Sequence, residues 1–125
     1  MKVELKKLGV AAAYLFGSCA SGRAGPLSDF DVAVLLKNSA KERDYFAVRL
    51  KLIALFSRHF KNQKVDIVIL NNAPPLLAMN CIDGSKILFE SDHFSRIDFE
   101  TRTTMHYLDR LPHERNYMKS LLHSV

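Results

Sequence analysis

The sequence predicts an α/β fold: a small mixed β-sheet of about four strands flanked by helices, in one domain over residues 1–125. Three observations carry this. Two apolar runs of strand length, 10–16 and 30–36, are separated by a segment rich in Gly, Ser and Pro. A longer stretch with a helical start signal follows them. A third β-branched run, "VDIVIL", then precedes a break at "NNAPP" and another segment of helical length.

The elements follow in order. Residues 1–9 read as a short helix. "VAAAYLF" is continuously apolar, as a buried strand requires, and Gly17-Ser18 ends it in a turn. Ser18 is placed to cap a short helix to about Gly22, and "GRAGPLS" reads as loop. In "FDVAVLL" the two-residue period puts Asp29, Asp31, Ala33 and Leu35 on one face, and Phe30, Val32, Val34 and Leu36 on the other. Ser39 and Glu42 have capping-box spacing, and the helix they open runs to about His59 with apolar residues on more than one side. Residues 65–70 form the third strand, 76–82 a helix, and "DGSKILFE" a turn and a short fourth strand. Ser91 is placed to cap a last helix in which Phe94, Ile97, Met105 and Leu108 fall near one face. Pro112 interrupts that helix and leaves a final helical piece from His113.

Composition narrows the function classes. Hydrophobic residues make up 48% and charged residues 25%, enough for a core but with little chain left for a second, acceptor-holding domain. The formal charge of +5 comes from scattered Lys and Arg, which read as a solvated surface. Without an aromatic RNA-binding signature or a basic recognition helix, a nucleic-acid partner is not expected. Cys19 and Cys81 lack CxxC spacing and the five histidines lack ligand spacing, which argues against a zinc site or a disulfide framework and suits the cytoplasm. "MKVELKKLGVAAAYLFGSC" mimics a secretory leader, but Glu4 sits in its basic part, its apolar run is short, and cleavage would destroy Gly17-Ser18. The chain is expected to be unprocessed and cytoplasmic. No stretch has the length of a membrane span.

Asp29, Asp31 and Asp66 carry the chemistry. A buried carboxylate is expensive unless it is paired or coordinated. Residues i and i+2 of a strand point the same way, about 6.5–7 Å apart, so Asp29 and Asp31 can share divalent cations at the strand entrance. Mg²⁺ suits them, since it takes a few carboxylates and fills its other positions with water and phosphate oxygens. Asp66, at the start of another strand, is the candidate third carboxylate. Gly17 permits a close backbone approach, and Ser18 would open a helix whose N–H groups favour phosphate. A strand, a Gly-Ser turn and a metal-binding strand make a triphosphate site. Each signal is weak alone; their order and spacing make the case.

That combination resembles the nucleotidyltransferase superfamily that includes DNA polymerase beta, with its hG[GS] and Dh[DE]h signatures. More narrowly it resembles the minimal nucleotidyltransferase (MNT) domains, whose GSx10DxD spacing is met by Gly17-Ser18, Cys19 to Ser28, and Asp29-Phe30-Asp31. The resemblance covers essentially the whole chain and implies a polymerase beta-like nucleotidyltransferase core. It implies that Asp29 and Asp31 are metal ligands, that Asp66 is the third catalytic and metal-binding carboxylate, and that Gly17 and Ser18 contact nucleotide phosphates. Where many relatives read "GSRARG", this chain has "GSCASG", so Cys19 and Ser21 replace two arginines; Arg23 is the candidate to compensate at the phosphates.

Stand-alone MNT domains of this length are similar to the antitoxins of HEPN/MNT toxin–antitoxin pairs. The resemblance implies a Mg²⁺-dependent transfer of AMP from ATP to a tyrosine of a HEPN ribonuclease toxin, silencing it. The implied partners are a nucleoside triphosphate and the HEPN-type protein, with a homo-oligomer left open. Two alternatives stand beside this reading: an antitoxin that acts by binding alone, and a nucleotidyltransferase for a small molecule such as an aminoglycoside.

Overall fold

The computed structural model describes residues 1–17, 30–37, 44–61 and 64–123, with side chains as far as residue 110. The chain forms α1 (Lys2–Lys7), β1 (Val10–Phe16), β2 (Phe30–Leu36), α2 (Tyr45–His59) and β3 (Val65–Ile69). A 3₁₀ turn (Leu70–Asn72) leads to α3 (Pro75–Ile82), β4 (Lys86–Glu90) and α4 (His93–His123). The strands are ordered β3-β2-β1-β4. β1 runs antiparallel to β2 and β4, and β2 runs parallel to β3. The mixed four-stranded sheet flanked by helices is the one expected.

Alternation along the strands builds two cores. Val32, Val34 and Leu36 join Ile67, Ile69, Leu5 of α1, and Leu52 and Phe56 of α2. Ala33 and Leu35 join Tyr14, Leu70, and Ala78 and Cys81 of α3, with Phe99 of α4 at the margin. The small residues of β1 let α3 and α4 sit close to the second face. A register slip in β1 between Val10 and Ala12 puts Ala11 and Ala12 into the same core, as a bulge does. Leu52 and Phe56 are fully buried, each worth roughly 1.5–3 kcal/mol of transfer free energy.

Helix boundaries differ from expectation in three places. α2 starts at Tyr45, and its cap is Asp44, whose Oδ1 accepts from Phe46 N (3.0 Å) and Ala47 N (3.2 Å). The expected caps Ser39 and Glu42, like the short helix expected from Ser18 to Gly22, lie outside the described residues. Ser91 does not cap α4; its hydroxyl donates to Val10 O at 2.6 Å and ties the chain to β1. Asp92 caps instead, accepting from Ser95 N (3.1 Å) and Ser95 Oγ (2.8 Å). α4 also continues through Pro112. A proline forfeits one backbone bond, at a cost of about 3 kcal/mol, but the turns on either side retain theirs.

Tertiary anchoring of α4 is polar as well as apolar. Tyr14 Oη donates to Glu100 Oε1 (3.0 Å), Arg96 Nη1 donates to both Glu100 oxygens (3.1 and 3.0 Å), and Arg96 Nε donates to Glu90 Oε2 (3.0 Å). The inward face of the helix is thus Arg96, Phe99, Glu100 and Thr103, while Phe94, Ile97, Met105 and Leu108 are exposed.

Candidate active site

β1 ends, and β2 and β3 begin, at the same end of the sheet, because β1 opposes β2 while β3 runs with it. This places Gly17, Asp31 and Asp66 together. Asp31 is the register partner of Phe16 on one side and of Asp66 on the other. Neighbouring strands lie about 4.8 Å apart, and register partners project from the same face. Asp31 and Asp66 are therefore neighbouring acidic residues on the α3 side of the sheet.

Gly17 sits at φ +75°, in the left-handed region. A Cβ there would stand 2.5 Å from Asp31 Oδ2 and 3.4 Å from its Cγ. Glycine thus serves both the turn and the approach of the carboxylate to the main chain. Ser18, Arg23 and Asp29, also expected in the site, lie outside the described residues, as do Cys19 and Ser21.

Sequence reasoning missed Arg49. Its Nη2 donates to Asp66 Oδ1 at 3.1 Å and its Nε donates to Ile67 O at 2.9 Å. The available signal was a cation, one of two with Lys51, in the apolar run "YFAVRLKLIALF", which by itself reads as a solvated residue. A groove of about 410 Å³ along β3, lined by Tyr45, Phe46, Arg49, Val68, Ala73 and Leu77, shares Arg49 with the site. A second cavity, of about 240 Å³, lies by Leu35 and Leu36 at the other end of β2, away from the aspartates.

Cys81 of α3 is buried beneath the site. Burial pushes its thiol up to about 11, and the charge of Asp31 adds to the shift, so the sulfur is a neutral packing group at neutral pH. Among the described residues no three His, Cys, Asp or Glu side chains gather to hold a metal. Asp31 and Asp66 supply two oxygen-donor side chains of the kind Mg²⁺ takes.

A family model described as "Polymerase beta, Nucleotidyltransferase" matches residues 2–94. No curated protein matches the chain in sequence. Several solved structures match in fold. One is a toxin–antitoxin crystal structure with AMP-PNP, at 22% identity over 97% of this chain and 98% of that chain, with a TM-score of 0.71. Another holds a tri-AMPylated Shewanella oneidensis HEPN toxin in complex with MNT antitoxin, at 20% identity over 97% and 95% of the two chains, with a TM-score of 0.65. A third, the toxin–antitoxin MntA–HepT, matches at 21% identity over 97% and 96%, with a TM-score of 0.65. At such identities the likeness is one of fold.

Proposed function

The chain belongs to the polymerase beta nucleotidyltransferase family, and from that premise we propose that it transfers AMP from ATP to a tyrosine of a HEPN-type toxin, as the antitoxin of the pair. The observation that carries this is the pair of register-matched carboxylates, Asp31 and Asp66, beside the open backbone of Gly17. Support for the partner comes from the complexes that share the fold, one with AMP-PNP and one with a tri-AMPylated HEPN toxin.

In this reading Asp29, Asp31 and Asp66 hold Mg²⁺, and Gly17, Ser18 and Arg23 contact the phosphates. The donor chemistry fits, being carboxylate oxygen without sulfur or imidazole. Bound Mg²⁺ would neutralise charge on the phosphates as the leaving group departs. Asp66 orients the acceptor hydroxyl and takes its proton, which matters because a tyrosine has an ordinary pKa of about 10. The tyrosine oxygen bonds to the α-phosphorus, the bond from that phosphorus to the bridging oxygen breaks, and pyrophosphate leaves. The apolar side chains exposed on α4 give a protein acceptor a surface to meet. A cytoplasmic location goes with this reading: Cys81 is a free thiol, and no described helix is long and apolar enough to cross a membrane.

The replacement of two arginines by Cys19 and Ser21 favours a second reading, an antitoxin that works by binding alone. Incubating the chain with ATP, Mg²⁺ and a HEPN-type partner separates the two. Addition of the mass of AMP to the partner, once or more, is the expected result. An unmodified partner held in a tight, inhibited complex would support the binding-only reading. AMP appearing only on a small molecule such as an aminoglycoside would exclude both.

A further inference from the structure

We propose that Arg49 is a positioning residue for nucleotidyl transfer, acting through Asp66; the inference rests on the transfer reading above. Arg49 lies on α2, whose Leu52 and Phe56 pack on the sheet face opposite Asp31 and Asp66. To reach Asp66 its side chain passes around the edge of β3, the outermost described strand on that side. There the guanidinium makes two bonds of different kinds. Nε donates to the main-chain carbonyl of Ile67 at 2.9 Å, which anchors the group to the strand, and Nη2 donates to Asp66 Oδ1 at 3.1 Å. The planar fork therefore ties the carboxylate to the backbone of its own strand.

The clamp has a purpose because the Asp66 side chain is 60% exposed. An exposed carboxylate at a strand entrance samples several rotamers, and transfer chemistry needs it in one. Arg49 holds Oδ1 and so restricts the carboxylate to one orientation, in which it would serve a bound cation and the acceptor hydroxyl. The same positive charge, 3.1 Å from Oδ1, opposes a divalent cation at that carboxylate. Arg49 thus has two effects of opposite sign: it weakens metal binding and raises turnover. A pair this exposed adds little to folding, so neither effect is a consequence of stability.

The test uses the full chain with its HEPN-type partner, ATP and Mg²⁺. Arg49→Gln should lower kcat roughly 10–100-fold, the scale of a misplaced reacting group, with KM for ATP little changed. Its melting curve should overlay that of the wild type. Binding of Mn²⁺ to the nucleotide-free chain, measured by calorimetry, should tighten. Arg49→Lys should restore only part of kcat, since one ammonium cannot serve the carbonyl and the carboxylate together. In an Asp66→Asn background Arg49→Gln should have almost no further effect on kcat. Wild-type transfer with an unaltered kcat in Arg49→Gln, or losses that multiply in the double variant, would overturn this inference and leave the transfer reading standing. No transfer by the wild type would overturn both.

Discussion

Asp31 fills the space that a side chain at Gly17 would need: a Cβ built there falls 2.5 Å from Asp31 Oδ2. Because Asp31 pairs in register with Phe16, the neighbour of Gly17, the end of β1 and the start of β2 form one unit. The turn is glycine for two separable reasons, a positive φ and a carboxylate in van der Waals reach.

Gly84 separates them, since it has φ +70° but nothing within 4 Å of a built Cβ. Gly84→Ala should therefore cost only the left-handed strain, about 1–2 kcal/mol, and leave transfer intact. Gly17→Ala should cost more and abolish transfer, because Asp31 must move. Denaturant unfolding and transfer assays on the two variants decide it; equal behaviour would mean that Asp31 does not depend on the glycine.

Asp29→Asn or Asp31→Asn should abolish transfer and leave the fold intact. For Asp31 the reason is its adjacency to Asp66: amidation removes a like charge from the pair, so stability without metal should hold or rise slightly. Melts with and without Mg²⁺ check this. Markedly earlier unfolding in the absence of metal would make these carboxylates structural.

Asp66→Asn should act on the chemical step, lowering transfer far more than ATP binding measured by calorimetry. The carboxylate comes from a strand parallel to β2 and is held by Arg49, a placement suited to the acceptor hydroxyl. Equal losses in transfer and binding would assign it to nucleotide binding alone.

The face on which Asp31 lies was legible in the sequence, and the reason is period. Strand alternation put Asp31, Ala33 and Leu35 on one face, and Ala33 and Leu35 do share a core that excludes Val32 and Val34. What alternation cannot convey is strand pairing. That Asp31 lies beside Asp66 depends on β2 and β3 being parallel neighbours, and the role of Arg49 depends on β3 lying at the edge. Cap choice was ambiguous for a local reason. Ser39, Asp44, Ser91 and Asp92 can all cap a helix, and tertiary contacts select among such residues, as when Val10 O takes the Ser91 hydroxyl. Pro112 misled because its cost is local, while helix continuation is set by the turns around it.

Tyr14 gives a prediction about pH. It is buried, and its hydroxyl donates to Glu100, itself held by Arg96. Burial first, and the Glu100 charge second, push its pKa well above that of an ordinary phenol, with Arg96 opposing. An acid whose folded pKa is raised keeps a proton that the unfolded chain releases. Its contribution to stability is therefore whole below about pH 10 and is lost as pH climbs above that value. Tyr14→Phe should remove this alkaline dependence and cost about 1.5–3 kcal/mol at neutral pH for the lost bond to a charged acceptor. Ultraviolet titration of the wild type against Tyr14→Phe isolates the one phenol. No phenolate should appear in the difference spectrum at about pH 11 while the protein is folded. Ionisation near pH 10 in a folded chain would mean that the hydroxyl is not held in the buried Glu100–Arg96 network, and the anchoring of α4 to β1 would need another account.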